Sequence, residues 1–61
     1  MLPYSVCILG KAYRALGDGT IQALRGGAWV EIHKDSSFQM ARKRIDIWVK
    51  NREVVTPAGA L

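Results

Sequence analysis

His33 and Cys7 are the only histidine and cysteine of the sequence, and the side chains best suited to nucleophilic chemistry. A thiol nucleophile needs a base in reach and a third group that orients the base. His33 and Cys7 are far apart in sequence, and no Asn or Asp is spaced to orient them. A Cys–His centre is therefore not expected. The chain reads as a non-enzyme, with Cys7 a small core residue. One His and one Cys also fall short of the four ligands that structural zinc takes, so no metal is expected. Gly17-Asp18-Gly19 echoes a dinucleotide-binding loop, but Gln22 stands where the third glycine belongs and no parallel sheet follows. That excludes a nucleotide cofactor on this motif, and no other cofactor is implied.

The stronger inventory is for nucleic acid. Nine Lys and Arg against five Asp and Glu give a net charge of +4 in 61 residues. An excess of this size favours a polyanion through attraction and counterion release. Between Thr20 and Arg25, a core has no need of Thr20, Gln22, Ala23 and Arg25. Arginine can take guanine O6 and N7 together, and glutamine can take adenine N6 and N7. Thr20 can meet a phosphate or a thymine methyl. Lys34, Ser36 and Ser37 place one cation and two hydroxyls around a turn, which suits phosphate or minor-groove contact. Arg42-Lys43-Arg44 opens a helical pattern, where cations oppose the macrodipole by a few tenths of a kcal/mol each. A polyanionic partner would explain that penalty, and a solvated helix face is the alternative. Trp29 and Trp48 could stack on unpaired bases. Both share faces with Val30, Ile45 and Val49, so they are assigned to the core.

The elements that must position these side chains follow from periodicity. Val6, Leu9, Tyr13 and Leu16 are spaced three, four and three, one face of a helix over residues 5–16. Ser5 caps it and Pro3 stops it extending backwards. Val6, Cys7 and Ile8 would also suit a strand, and Gly10 lowers helix propensity. Leu16 to Thr20 is a turn. A hairpin at Asp18-Gly19 is the rival reading there, but the flanks do not alternate. Ile21 and Leu24 instead suggest a short second helix, Thr20 to Arg25, ended by Gly26-Gly27. Ala28 to Lys34 reads as a strand, Asp35-Ser36-Ser37 as a turn, and Phe38-Gln39-Met40 as a returning strand. Ala41 to Asn51 is the clearest helix, with Ala41, Ile45, Trp48 and Val49 on one face. Arg52 to Leu61 is read as a tail, flexible or docked on a partner.

Together these predict an α+β fold: a small winged helix-turn-helix of three short helices and a two-stranded hairpin, one domain over residues 1–61 with its core at 5–51. A chain of this length has a small core and gains from partners. No apolar run reaches the ~20 residues of a membrane span. The start lacks a basic n-region and a cleavage site, and a lone cysteine suits a reducing compartment, so a cytoplasmic, nucleoid-associated protein is expected.

The order Gly19-Thr-Ile-Gln-Ala-Leu-Arg-Gly-Gly-Ala-Trp-Val-Glu, then His33, a short wing, and Ile45-Asp-Ile-Trp-Val-Lys resembles the phage excisionases. These are winged-helix recombination directionality factors related in architecture to the DNA-binding heads of MerR-type regulators. The resemblance covers residues 6–50. It departs from the family at Ile32, where glycine is common, and at the short Asp35-Ser36-Ser37 tip. It implies a factor without chemistry of its own that binds direct repeats beside an attachment site, bends the DNA and helps a phage-type integrase excise. Several copies would bind together, because bending costs about 1–6 kcal/mol and one small domain buries little DNA surface. A Cro-like or MerR-like repressor is the alternative within DNA binding. An inhibitor of a host protein, anchored by Trp29 or Trp48, is the alternative outside it.

Overall fold

The computed structural model of the chain describes residues 4–55. Four antiparallel strands form one sheet in sequence order: β1 (Tyr4–Ile8), β2 (Lys11–Ala15), β3 (Thr20–Arg25) and β4 (Ala28–Lys34). A single helix among the described residues, α1 (Phe38–Asn51), packs across one face of the sheet. The class is α+β, but three short helices with a two-stranded hairpin are corrected to a four-stranded meander with one helix.

The first correction falls on residues 5–16. They form a hairpin in which Tyr4 pairs with Ala15, Val6 with Tyr13 and Ile8 with Lys11. The helical spacing of Val6, Leu9, Tyr13 and Leu16 is a coincidence that spans two strands and a turn. A period of two fits better: Val6, Ile8, Tyr13 and Ala15 all face the core, whereas Leu9 is exposed. Leu9 and Gly10 have φ of 51° and 80°, the left-handed pair of a two-residue hairpin turn, which a continuous helix cannot contain. Cys7, expected in the core, is exposed on β1.

The second correction is the recognition helix. Thr20 to Arg25 is a strand, paired to β2 through Tyr13–Ala23 and Ala15–Ile21, and to β4 through Leu24–Trp29 and Arg25–Ala28. The helix preference of Ala23 and Leu24 is a few tenths of a kcal/mol per residue. A place between two partner strands outweighs it. Gly26 and Gly27 do not stop a helix; with φ of 57° and 81° they turn the β3–β4 hairpin. The non-alternating flanks also argue against a hairpin at Asp18-Gly19. β2 and β3 are nonetheless joined there by the loop from Leu16 to Gly19, closed by hydrogen bonds between Leu16 and Thr20 and between Gly19 and Leu16.

β4 has the bounds its sequence implied. Its register with β3 slips by one, Ile21 facing His33 while Gln22 faces Glu31, so Ile32 is the extra residue of a bulge. The bulge brings Ile32 and His33, neighbours in sequence, to the helix side together. Ile32 is 3% exposed, and the His33 ring meets Trp48 edge-on at 6.2 Å.

Phe38-Gln39-Met40 is not a returning strand but the first turn of α1. Ser37 caps it, its Oγ accepting from the Met40 N–H at 3.2 Å. Among the described residues α1, not a second strand, follows β4, so the expected wing is corrected to a strand-to-helix junction. Ala41, Ile45 and Trp48 face the sheet, and Val49 is exposed. Trp48 also meets Tyr13 edge-on, with centroids 6.5 Å apart. The helix ends at Asn51 with Arg52 left-handed; the N–H groups of Arg52 and Glu53 donate to Val49 and Trp48 carbonyls. Val54 packs against the core. The start of the expected tail therefore belongs to the domain. The readings of Pro3 and of residues 56–61 lie outside the described residues. No helix among the described residues is long and apolar enough to cross a membrane.

Candidate nucleic acid interface

One face of the sheet is covered by α1, and no element among the described residues covers the other. The alternation that sends Val6, Tyr13, Ala15, Ile21 and Ala23 to the core sends Ser5, Arg14, Gln22, Leu24, Trp29 and Glu31 to the open side. Register sets Ser5, Arg14, Gln22 and Glu31 in one row across the four strands. In that row the Arg14 Nε–H donates to Gln22 Oε1 at 2.7 Å. The Arg14 guanidinium also lies over the indole of Trp29, 4.1 Å from the ring centroid. Two contacts from two strands thus hold one arginine head in a fixed plane, with its terminal Nη atoms free of partners among the described residues.

The ten residues singled out in the sequence are scattered by this fold. Gln22 is half-buried on the open face, and Arg25 is exposed at the tip of the β3–β4 hairpin. Ala23 and Thr20 are buried, 2% and 5% exposed, so neither presents its side chain to a partner. The Thr20 N–H donates to Asp18 Oδ1 at 3.0 Å, and this bond holds the Asp18 carboxyl below its usual range. Lys34 is exposed and reaches Asp18 at 3.8 Å. Ser36 is exposed, whereas Ser37 is occupied as the helix cap. Arg42 lies over the Tyr4 ring at 4.8 Å, and Lys43 is exposed on the helix. Arg44 is tied to Asp35. Arg42 and Lys43 therefore lie on the far side of the domain from Gln22.

No family model, curated protein or solved structure matches the chain.

The residues that sequence reasoning missed are Arg14, Trp29 and Glu31. Arg14 was hidden inside an expected helix and Trp29 was assigned to the core. The available signal was alternation: Arg14 stands between Tyr13 and Ala15, and Glu31 between Val30 and Ile32, which places each on the side away from those apolar neighbours. A second cluster closes the far end of the sheet. Asp35 accepts from Arg44 Nε at 2.8 Å and from Nη2 at 3.0 Å, and His33 Nε2 lies 3.3 Å from the same carboxylate without an aligned hydrogen bond. The Arg44 hydrogen bonds pull the Asp35 carboxyl below its usual range, against the opposing effect of burial. This cluster joins β4 to α1 and is a structural tie. Among the described residues, no group of three or more His, Cys, Asp and Glu is placed to hold a metal.

Proposed function

We propose that the chain binds double-stranded DNA, with the open face of the sheet set against the major groove. The observation that carries this reading is Arg14, held on one side by Gln22 and on the other by Trp29. The major groove admits a β-ribbon, and arginine is the side chain that most often reads it. The β3–β4 hairpin has the longest strands and ends in Arg25 and two glycines, so a cation and bare backbone can come close to a phosphate. The charge of +4 supplies attraction to a polyanion.

Single-stranded nucleic acid fits less well. Stacking platforms carry several free aromatic faces. On the open side Trp29 is the aromatic residue, and Arg14 already occupies one of its faces. Tyr13 and Trp48 are buried between sheet and helix. The excisionase resemblance offers a role for duplex binding, as an architectural factor beside an integrase. The wing that this role draws on is replaced here by the first turn of α1, so the proposal stops at duplex DNA.

Fluorescence anisotropy with a labelled duplex, and with one of its strands alone, tests this. The duplex should bind more tightly, with log K falling against log salt at a slope of about −2 if Arg25 and Lys34 meet phosphates. Tighter binding to the single strand, or stoichiometric capture of a protein with no shift of DNA, would count against it.

A further inference from the structure

The row across the sheet has a definite hydrogen-bonding character. Gln22 commits one lone pair of its carbonyl oxygen to the Arg14 Nε–H. Bidentate readout of adenine needs that oxygen as acceptor for N6–H. Gln22 is therefore engaged with Arg14 rather than poised for adenine. It acts as a positioning residue for Arg14. Arg14, with Nε committed, keeps both Nη groups for an acceptor pair such as guanine O6 and N7. Glu31, the cross-strand partner of Gln22, is exposed and in no ion pair among the described residues. A carboxylate would repel phosphates. Against base edges it accepts from the cytosine N4 amino group.

We infer that Arg14, Gln22 and Glu31 form a base-reading row that takes a guanine at Arg14 and a cytosine at Glu31. β2 and β4 are two strand spacings apart, about 10 Å, so the two bases would be held at one fixed separation. This inference rests on the duplex reading proposed above.

The test is enrichment of a randomised duplex pool on the full chain, repeated with Arg14→Lys and Glu31→Gln. The wild-type chain should enrich a guanine and a cytosine at that separation. Arg14→Lys keeps the charge and loses the fork, so preference at the guanine should fall roughly 10-fold. Glu31→Gln should alter the preference at the cytosine alone. A single 7-deazaguanine at the guanine position should weaken the wild-type chain several-fold and leave Arg14→Lys unchanged. Tight binding without any enriched base would overturn the row while leaving duplex binding intact. An enriched motif indifferent to both variants would assign base reading to another surface. Absence of duplex binding would remove both readings together.

Discussion

Asp35 and Arg44 meet through two parallel hydrogen bonds, 2.8 and 3.0 Å long, that join the residue after the last strand to the middle of the helix. The carboxylate is 9% exposed and also faces His33. Its pKa is lowered in the folded state by Arg44. A depressed carboxyl pKa stabilises the fold above the unfolded value, and that contribution is lost as pH falls through the folded value. Thermal unfolding followed by circular dichroism should thus show stability that holds at neutral pH and falls below about pH 4, the unperturbed aspartate value being 3.8. Asp35→Asn should lose about 2 kcal/mol at neutral pH and show a smaller acid step. Part of that step should persist, because Asp18 is also held low, chiefly by the Thr20 N–H. An unchanged acid step in the variant would show that the tie is not what acid breaks.

Gly19 sits directly under the same junction. Its φ is +95°, its carbonyl accepts from the Asp35 N–H at 2.8 Å, and a Cβ there would run into the Asp35 carbonyl oxygen. Gly19→Ala should destabilise by about 2–3 kcal/mol, since backbone rather than a flexible side chain must move. Gly10 has φ +80° but open space around it, so Gly10→Ala should lose only about 1 kcal/mol. Chemical denaturation of both variants checks the order, and equal losses would contradict it.

Leu9 is 75% exposed in a left-handed conformation, φ 51°, at the first position of the β1–β2 turn. A branched apolar residue carries about 1 kcal/mol of strain there, whereas asparagine is at home. Leu9→Asn should stabilise the domain and raise Tm by about 4–8 °C per kcal/mol gained. A fall in Tm would show that Leu9 contributes through the shallow cavity it lines with Cys7, Ile8, Val49 and Arg52.

The two surfaces of the domain can be separated by DNA binding. Arg14→Ala should weaken duplex binding more than Lys43→Ala, because Lys43 lies on the exposed side of α1, away from the open sheet. About 1–3 kcal/mol is expected for Arg14, and a smaller, sequence-independent loss for Lys43. The reverse order in an anisotropy titration would move the interface to the helix. Trp29 emission should change on adding duplex, while that of Trp48, 3% exposed, should not. Trp29→Phe isolates the second signal.

Several features of this protein were decided by the sequence alone. β4 followed from Trp29, Val30 and Ile32, and the C-terminal helix from Ala41, Ile45 and Trp48, because each pattern is local and completes itself within one element. α1 starts at Phe38 rather than the expected Ala41, because Ser37 serves as its cap, a role open to a serine before an amphipathic run as well as that of a turn residue. Tertiary structure alone decided whether residues 5–16 and 20–25 were helix or strand. Their hydrophobic spacings carry elements of both periods, and the choice is made by partners outside each element: across the hairpins, as Val6 with Tyr13 and Ala23 with Val30, and against the distant helix, as Tyr13 with Trp48. The candidate site shares that dependence. Arg14, Gln22 and Trp29 lie on three different strands, so no spacing within the chain could show that one arginine would be gripped by the other two. Sequence fixes which charges and turn residues exist. Strand pairing, a non-local equilibrium, determines which of them share a face.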